Sequence, residues 1–208
     1  MNSKGKLIVI EGLDGCGKAT QTAELTQRLM QSFPRVKHIS FPNYSNPSSA
    51  LVKMYLGGEL GSSPDDVNAY AASSFYAVDR YASFKQFWEK DYNSGCIIIA
   101  DRYTTSNAIY QLSKVANREK PSFLHWLDTY EYKQLQLPKP DAVIYLDMPV
   151  EVSQQLLAKR YNGDENKKDL HEKNFEFLKE CRNSALYAAQ ILNWNVVSCA
   201  RNGKPRSI

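Results

Sequence analysis

The residues whose types and spacing most clearly suit a chemical role form a glycine-rich segment near the N-terminus. Residues 12–18 read GLDGCGK and follow an apolar run that is typical of a buried strand. Glycines here let successive backbone N–H groups converge on phosphate oxygens, and the start of a following helix adds partial positive charge. The lysine supplies a point charge for the outer phosphates of a nucleotide. We therefore expect a nucleotide-phosphate site formed by Gly12, Leu13, Asp14, Gly15, Cys16, Gly17, Lys18, Ala19 and Thr20.

Two side chains of this segment, those of Ala19 and Asp14, are unusual for a phosphate loop. Ala19 stands where a Ser or Thr hydroxyl normally ligates Mg²⁺, and Thr20 lies about 100° further round the helix, too far to replace it. A metal ion must then rely on phosphates, waters and a carboxylate, or the site binds nucleotide without catalysis. Asp14 either faces a hydroxyl, metal or cation, or caps the helix.

A charged pair ends another buried strand-like run, in which IIIA is followed by Asp101 and Arg102. Ligands of doubly wound sheets bind at the carboxyl ends of the strands. This placement suits Asp101 to Mg²⁺ and Arg102 to a phosphate, because a guanidinium recognises phosphate with two parallel hydrogen bonds. The alternative is a mutual salt bridge between the two residues.

Two helical runs carry side chains that could recognise a base and a sugar. Tyr76 and Arg80 are four residues apart and share a helix face, either to stack on a base and bond its carbonyl or as a surface pair. Asn107 and Tyr110 share a face in the same way, in a run that also contains Ser106 and Gln111. Tyr44, after a turn that begins with Pro42, could hydrogen-bond a phosphate.

Residues 161–173 read YNGDENKKDLHEK, and almost all of them are polar. The basic residues Lys159, Arg160, Lys167 and Lys168 cluster in or beside this stretch. It is either a solvated loop or a mobile lid over an anionic ligand, and the sequence supports both interpretations equally. We call residues 159–173, which include the two preceding basic residues, the lid segment.

Short β-branched runs alternate with longer helical stretches along the chain, which predicts a doubly wound α/β fold with a five-stranded parallel sheet. The expected strands are Lys6–Glu11, Val36–Phe41, Cys96–Ala100, Ala142–Asp147 and Asn195–Ser198. The expected helices are Lys18–Ser32, Ser48–Leu56, Pro64–Asp91, Ser106–Ala116, Ser122–Gln136, Val150–Arg160 and Leu170–Leu192. With 208 residues we expect one domain, 1–208.

Composition excludes several classes of protein. The four cysteines are scattered without a CxxC pair, so neither a disulfide framework nor a zinc site is expected, and a reducing cytoplasmic compartment fits best. The longest apolar run, Cys96–Ala100, is far too short to span a membrane, and Glu11 interrupts any secretory signal. The net charge of +4 is spread along the chain, so no nucleic-acid partner is expected.

Six motifs in order resemble the thymidylate kinase family of P-loop nucleoside monophosphate kinases. They read EGLDGCGK, FPNY, FYAVDR, DRYTTSNAIYQ, YLDMPVEV and a lid with DLHE, and they span nearly the whole chain. The resemblance implies a P-loop kinase fold and transfer of the γ-phosphoryl group of ATP to dTMP, giving dTDP and ADP for dTTP biosynthesis. It also implies Mg²⁺ as cofactor and a homodimer. The alternatives are a deoxynucleoside or other pyrimidine monophosphate kinase, or a non-catalytic nucleotide-binding protein.

The resemblance also implies how dTMP is recognised. Tyr76 would stack on thymine, Arg80 would bond its O4, and Asn107 supported by Ser106 would read the polar base edge. Tyr110 would occupy the place of a 2′-hydroxyl and so favour deoxyribose.

The remaining implied roles concern the phosphates. Lys18 and the loop amides would hold those of ATP, Arg102 and Tyr44 that of dTMP, and Asp101 would lie near Mg²⁺. The other roles fall to Asp14 at the 3′-hydroxyl, Arg160 at the transferring phosphoryl group, and Asp169 and Glu172 over the acceptor. The family usually continues into a terminal helix, so a chain that stops at Ile208 is expected to be truncated there.

Overall fold

A five-stranded parallel sheet with the order β2-β3-β1-β4-β5 organises the fold. The computed structural model describes residues 4–207, apart from the side chain of Glu165, so part of the expected domain 1–208 lies outside it. The strands are β1 (Lys6–Gly12), β2 (Val36–Ser40), β3 (Ile97–Asp101), β4 (Ala142–Asp147) and β5 (Asn195–Ser198). Each agrees with its predicted bounds to within one residue, and the predicted fold class is confirmed.

Helices cover both faces of the sheet, as a parallel sheet requires. The helices are α1 (Lys18–Ser32), α2 (Ala50–Leu56), α3 (Ala69–Ser83), α4 (Glu89–Asn93), α5 (Asn107–Tyr110), α6 (Lys120–Leu127), α7 (Val150–Arg160) and α8 (Phe175–Ile191). A short antiparallel hairpin, β6 (Ala200–Arg201) and β7 (Lys204–Pro205), follows the sheet and was not predicted.

Five predicted helices differ from the observed ones. The run predicted as Ser48–Leu56 starts at Ala50, and the run predicted as Ser122–Gln136 starts at Lys120 and is π-helical from Asp128. The run predicted as Pro64–Asp91 starts at Ala69, because the Asn68 side chain caps α3 by accepting from the amide of Ala71, 2.9 Å away. The run predicted to begin at Leu170 starts at Phe175, after the capping residue Asn174. The run predicted as Ser106–Ala116 is one short helix between single 3₁₀ turns.

Two helical runs contain a wider π-helical stretch, at Phe84–Trp88 and Asp128–Gln134. Such stretches insert extra backbone into a helix and occur often at functional sites. The second one begins where α6 ends, and its residue Glu131 is completely buried.

The sheet places the carboxyl ends of its central strands side by side. Ile10 of β1 is in register with Asp101 of β3, and Gly12 is in register with Leu146 of β4. Because alternate residues face opposite sides of the sheet, Leu7 and Val9 pack in the larger apolar cluster while Ile10 packs in the smaller one, against α1 and α7. The glycine-rich loop and the Asp101-Arg102 pair therefore leave the sheet at one edge.

Candidate functional site

The glycine-rich loop joins β1 to α1 in a conformation that depends on glycine. Gly15 and Gly17 have φ angles of 79° and 92°, and α1 begins directly after Gly17. A Cβ atom on Gly15 would lie 2.6 Å from the carbonyl oxygen of Ser153 in α7. The Lys18 ammonium folds back and donates a hydrogen bond to the Leu13 carbonyl, 2.9 Å away. The loop thus holds its lysine at the centre, with α7 packed against its outer side.

Asp14 does not cap α1; its carboxylate lies among cations and a phenol. Arg102 donates a hydrogen bond to Oδ1, Tyr110 donates to Oδ2 at 2.8 Å, and the Lys18 ammonium lies 4.0 Å from Oδ1. Burial alone would raise the pKa of Asp14, but Arg102, Lys18 and the Tyr110 hydrogen bond hold that pKa well below its usual range. The structure therefore brings Lys18 and Arg102 to one carboxylate.

Arg102 pairs with Asp14, so the alternative of a salt bridge with Asp101 is wrong. Its backbone is left-handed, with φ 66°, which turns the guanidinium back over the phosphate loop. Its Nη1 also lies 3.4 Å from the Tyr110 hydroxyl and 3.5 Å from the Gly12 carbonyl oxygen. Burial opposes the charge, but Asp14 raises the pKa of Arg102, so the residue stays a cation.

Asp101 has a different position from Arg102. It ends β3 on the same face as Ile99, the face that packs against α1, and it is mostly buried. Among the described residues, its carboxylate accepts no hydrogen bond and forms no ion pair. It lies beside the phosphate loop, outside the cavity described next.

A cavity of about 350 Å³ opens beside Arg102. All ten residues predicted for dTMP line it, together with the predicted catalytic residue Arg160. The ten are Asp14, Tyr44, Tyr76, Arg80, Arg102, Ser106, Asn107, Tyr110, Asp169 and Glu172. They come from five separate stretches of the chain, so the cavity is a genuine convergence of the motifs found in the sequence.

Two buried carboxylates that the sequence analysis missed support this cavity. Glu131 accepts from Arg80 Nε at 2.7 Å and from Asn107 Nδ2 at 3.1 Å. Glu11 accepts from the Ser106 hydroxyl at 2.9 Å, so Ser106 is tied to the end of β1 rather than to Asn107 as the resemblance implied. Glu11 stands out as a charge at the end of an apolar strand, whereas nothing in the spacing around Glu131 indicates its role.

Gln111 is a further residue of the cavity to which the sequence analysis gave no role. It is only 1% exposed, and neither its amide nitrogen nor its amide oxygen has a hydrogen-bond partner among the described residues. A buried amide without partners is costly unless a ligand completes it. Its position after Tyr110 in the same motif is the signal that could have identified it.

The lid segment packs across the cavity onto α2. Leu170 donates its backbone N–H to the Leu56 carbonyl at 3.3 Å, and His171 Nε2 lies 3.0 Å from the Tyr55 hydroxyl. Burial, and secondarily the charge of Asp14, raise the pKa of Asp169 to about 7. The Tyr161 hydroxyl donates to the Glu172 carboxylate at 3.1 Å, and this contact joins the two ends of the segment.

Two other kinds of feature are absent from the described residues, 4–207. No helix there is long and apolar enough to cross a membrane. No cluster of three or more His, Cys, Asp or Glu side chains is arranged to hold a metal ion in that part of the chain.

Comparison with known proteins decides the family. Residues 10–204 match the family model described as Thymidylate kinase. The chain belongs to the thymidylate kinase family. The predicted resemblance is confirmed, and so is the assignment as an ATP-dependent kinase of dTMP.

Individual members of the family are similar over most of their length. A thymidylate kinase of Mycobacterium tuberculosis is 30% identical over 186 residues, covering 88% of this chain and 84% of the relative. One of Caenorhabditis elegans is 30% identical over 161 residues, covering 73% and 67%. A solved structure of thymidylate kinase from Candida albicans superposes with a TM-score of 0.66 at 25% identity, covering 94% of this chain and 84% of that chain.

Proposed function

We propose that the protein transfers the γ-phosphoryl group of ATP to the 5′-phosphate of dTMP at the edge of the sheet where Lys18 and Arg102 meet. The observation that carries this proposal is the shared Asp14 carboxylate, which places the two cations on adjoining loops. Phosphoryl transfer needs in-line positioning and neutralisation of negative charge more than covalent help from the protein. The product dTDP would serve dTTP biosynthesis.

The donor phosphates would lie in the loop of residues 12–18. Its backbone N–H groups and the start of α1 face them, and the Lys18 ammonium would leave the Leu13 carbonyl to contact the outer phosphates. Arg160, at the exposed end of α7 and on the rim of the cavity, would neutralise the transferring group. The loop of residues 12–18 is therefore suited to ATP, and the neighbouring cavity is suited to dTMP.

The acceptor would lie in the cavity of about 350 Å³. Arg102 and Tyr44 would hold its phosphate, and Tyr76 offers its ring to thymine. Tyr110 is fixed by its bond to Asp14 and would close the space beside the sugar. No general base is required, because a phosphate monoester is already largely ionised near pH 7.

The base edge would meet Arg80, Asn107 and Gln111 at the inner end of the cavity. Arg80 retains N–H donors beyond those bound to Glu131 and the Tyr103 carbonyl, which suits a base carbonyl such as O4. Asn107 uses its amide nitrogen on Ser73 and Glu131, so its oxygen is the atom left for the base. Gln111 adds an amide whose two polar atoms still need partners.

Mg²⁺ is the expected cofactor, and the residues present fit it. Asp101 offers a mostly buried carboxylate beside the phosphate loop, and Mg²⁺ usually binds to one or two carboxylates plus substrate phosphates and waters. Ala19 supplies no hydroxyl, so Asp101 is the protein ligand that the sequence offers. When bound, the ion would supply positive charge that offsets the negative charge of the phosphates.

The lid segment would exclude water from the reacting phosphates, which suppresses ATP hydrolysis. Its contacts with α2 through Leu170 and His171 support this role. Asp169 and Glu172 would then close over the acceptor.

A homodimer remains a proposal, and one face of α3 supports it. Tyr70, Val78 and Tyr81 lie on that face at helical spacing and are each more than 40% exposed. Val78→Asp should convert a dimer to a monomer in sedimentation equilibrium. A monomeric wild-type chain would overturn the dimer without affecting the activity. A cytoplasmic location is likewise retained as a prediction.

The deciding experiment is a coupled assay of ADP release with a panel of nucleoside monophosphates and deoxynucleosides, with and without Mg²⁺. We expect turnover that requires Mg²⁺ and is fastest with dTMP. Faster turnover with a deoxynucleoside, or ATP binding without any dTMP-dependent ADP release, would overturn the proposal. The Arg102→Ala variant serves as the inactive control.

A further inference from the structure

A completely buried carboxylate lies behind the inner end of the acceptor cavity. Glu131 belongs to the π-helical stretch Asp128–Gln134 and is 0% exposed. Its Oε2 accepts from Arg80 Nε at 2.7 Å and from the Thr104 hydroxyl at 2.8 Å. Its Oε1 accepts from Arg80 Nη2 at 2.5 Å and from Asn107 Nδ2 at 3.1 Å. One anion thus holds both Arg80 and Asn107, and Glu131 itself does not line the cavity.

These contacts fix which way the Asn107 amide points. Its Nδ2 donates to Glu131 Oε1 and to the Ser73 carbonyl, 3.2 Å away, and both of these groups are acceptors only. A flipped amide would place its oxygen against two other acceptors in a buried place, which is strongly unfavourable. Asn107 can therefore offer only an acceptor, its Oδ1, to a ligand.

Arg80 is fixed in the same way and offers only donors. A guanidinium has five N–H groups. Three of them are used, two on Glu131 and one on the Tyr103 carbonyl at 3.3 Å. Burial opposes its charge, but Glu131 raises the pKa of Arg80, so it remains a cation. The donors that remain belong to the two terminal nitrogens, Nη1 and Nη2.

We propose that Glu131 is a positioning residue that sets the discrimination between thymine and cytosine, by fixing an acceptor at Asn107 and a donor at Arg80. This inference rests on the function proposed above. Thymine has a donor at N3 and an acceptor at O4, which match the two groups. Cytosine has an acceptor at N3 and an amino donor at C4, which oppose them. Uracil has the same edge as thymine, so Glu131 does not separate dTMP from dUMP.

Glu131→Gln tests this because it keeps the volume and replaces one acceptor by a donor. If the Gln nitrogen takes the Oε1 position, it faces Asn107 Nδ2 and Arg80 Nη2, so both of those bonds are lost and only the Ser73 carbonyl still opposes the flipped amide. If it takes the Oε2 position, it faces Arg80 Nε and releases the guanidinium. Either arrangement loosens the fixed pattern of donor and acceptor that faces the base.

The measurements are kcat/KM for dTMP and dUMP, KM for ATP, and the inhibition constant of dCMP against dTMP. In Glu131→Gln we expect the preference for dTMP over dCMP to fall about tenfold, the loss expected for one well-placed hydrogen bond to a charged group. The ratio of dTMP to dUMP and the KM for ATP should stay unchanged. Asp128→Asn, in the same π-helical stretch but paired with Lys139 near the surface, is the matched control and should keep every value.

A structural role alone predicts a different result. A buried ion pair can serve only the fold, and its loss would then weaken the binding of dTMP and of dCMP by the same factor. An unchanged preference for dTMP over dCMP in a folded Glu131→Gln variant would therefore overturn the inference. If that variant does not fold, Thr104→Val removes a single donor to Oε2 and should shift the preference in the same direction, by a smaller factor. An unchanged preference there also counts against it. Failure of the proposed function would show in the wild type, as absent dTMP-dependent turnover.

Discussion

Arg102 donates a hydrogen bond to the Asp14 carboxylate from the end of a neighbouring strand. Asp14 follows β1 and Arg102 follows β3, and the register of these strands brings the two loops together. Without this anion, the positive charges of Arg102 and Lys18 would repel each other at the same edge. The pair therefore keeps the guanidinium oriented toward the phosphate loop before any acceptor binds.

Replacing Arg102 should impair the reaction with dTMP without weakening the binding of ATP. We expect Arg102→Ala to lower kcat/KM for dTMP by about 10³-fold, since the guanidinium would neutralise the acceptor phosphate during transfer. The dissociation constant of ATP, measured by calorimetry, should change little because Lys18 and the loop amides remain.

Arg118→Ala is the matched control, because Arg118 is a largely exposed arginine that pairs with its neighbour Glu119. It should keep both the activity and the affinity for ATP. An equal loss of ATP binding in Arg102→Ala would instead mean that Arg102 maintains the structure of the phosphate loop.

Gly15 should be more sensitive to substitution than a glycine with a similar backbone in open space. Gly15→Ala adds left-handed strain of about 1–2 kcal/mol and also forces a Cβ against Ser153 and Leu157 of α7. Overpacking of this kind adds about 1–3 kcal/mol. Gly203 has a φ of 70°, and a Cβ added there would meet no atom within 4 Å. Gly203→Ala should therefore lower the stability by the backbone strain alone. Thermal unfolding of the two variants measures the difference; equal losses would show that α7 moves away freely.

The central strands of the sheet could be predicted closely because they are almost continuous apolar runs, such as IIIA before Asp101. The helices α1 and α7 were predicted with their observed bounds. Helix starts set by a capping side chain were missed, as at Asn68, because a polar residue within a long run gives little signal.

The site was predictable where several chemical groups stand close together in the sequence, as in residues 12–18 and 101–111. Glu131 was not predictable, because its partner Arg80 lies 51 residues away and the contact exists only after α3 and the π-helical stretch pack together. Gln111 lay in a recognised motif, but only burial shows that its amide lacks partners.

The missing hydroxyl at position 19 should limit the use of Mg²⁺. Ala19→Ser restores a hydroxyl at the start of α1, and we expect half-maximal activity at a several-fold lower Mg²⁺ concentration. Thr20→Ala is the control, since Thr20 is exposed and turned away by about 100°, and it should leave the Mg²⁺ dependence unchanged. A Thr20→Ala variant that needs more Mg²⁺ would show that Thr20 has taken over the role of the missing hydroxyl.

Docking of the lid segment should weaken as the pH rises from about 4 to about 7. Burial, and then the negative charge of Asp14, raise the pKa of Asp169 to about 7, whereas an undocked Asp titrates near 4. A group with a raised pKa stabilises the docked state fully below its undocked pKa, and this stabilisation is lost as the pH rises through about 7. Hydrogen exchange of the Leu170 amide, which donates to Leu56, reports the docked state.

After correction for intrinsic exchange, protection of that amide should fall between about pH 4 and pH 7 and level off above that range in the wild type, and it should stay level in Asp169→Asn. Burial also raises the pKa of Glu172, so this carboxyl group could contribute to the same pH dependence. The Glu172→Gln variant distinguishes its contribution from that of Asp169. Asp164→Asn alters an exposed carboxylate of the same segment and should behave like the wild type. If Asp169→Asn kept the full pH dependence while Glu172→Gln abolished it, the proton would belong to Glu172, and Asp169 would serve only to hold the 169–172 turn through its bonds to the amides of His171 and Glu172.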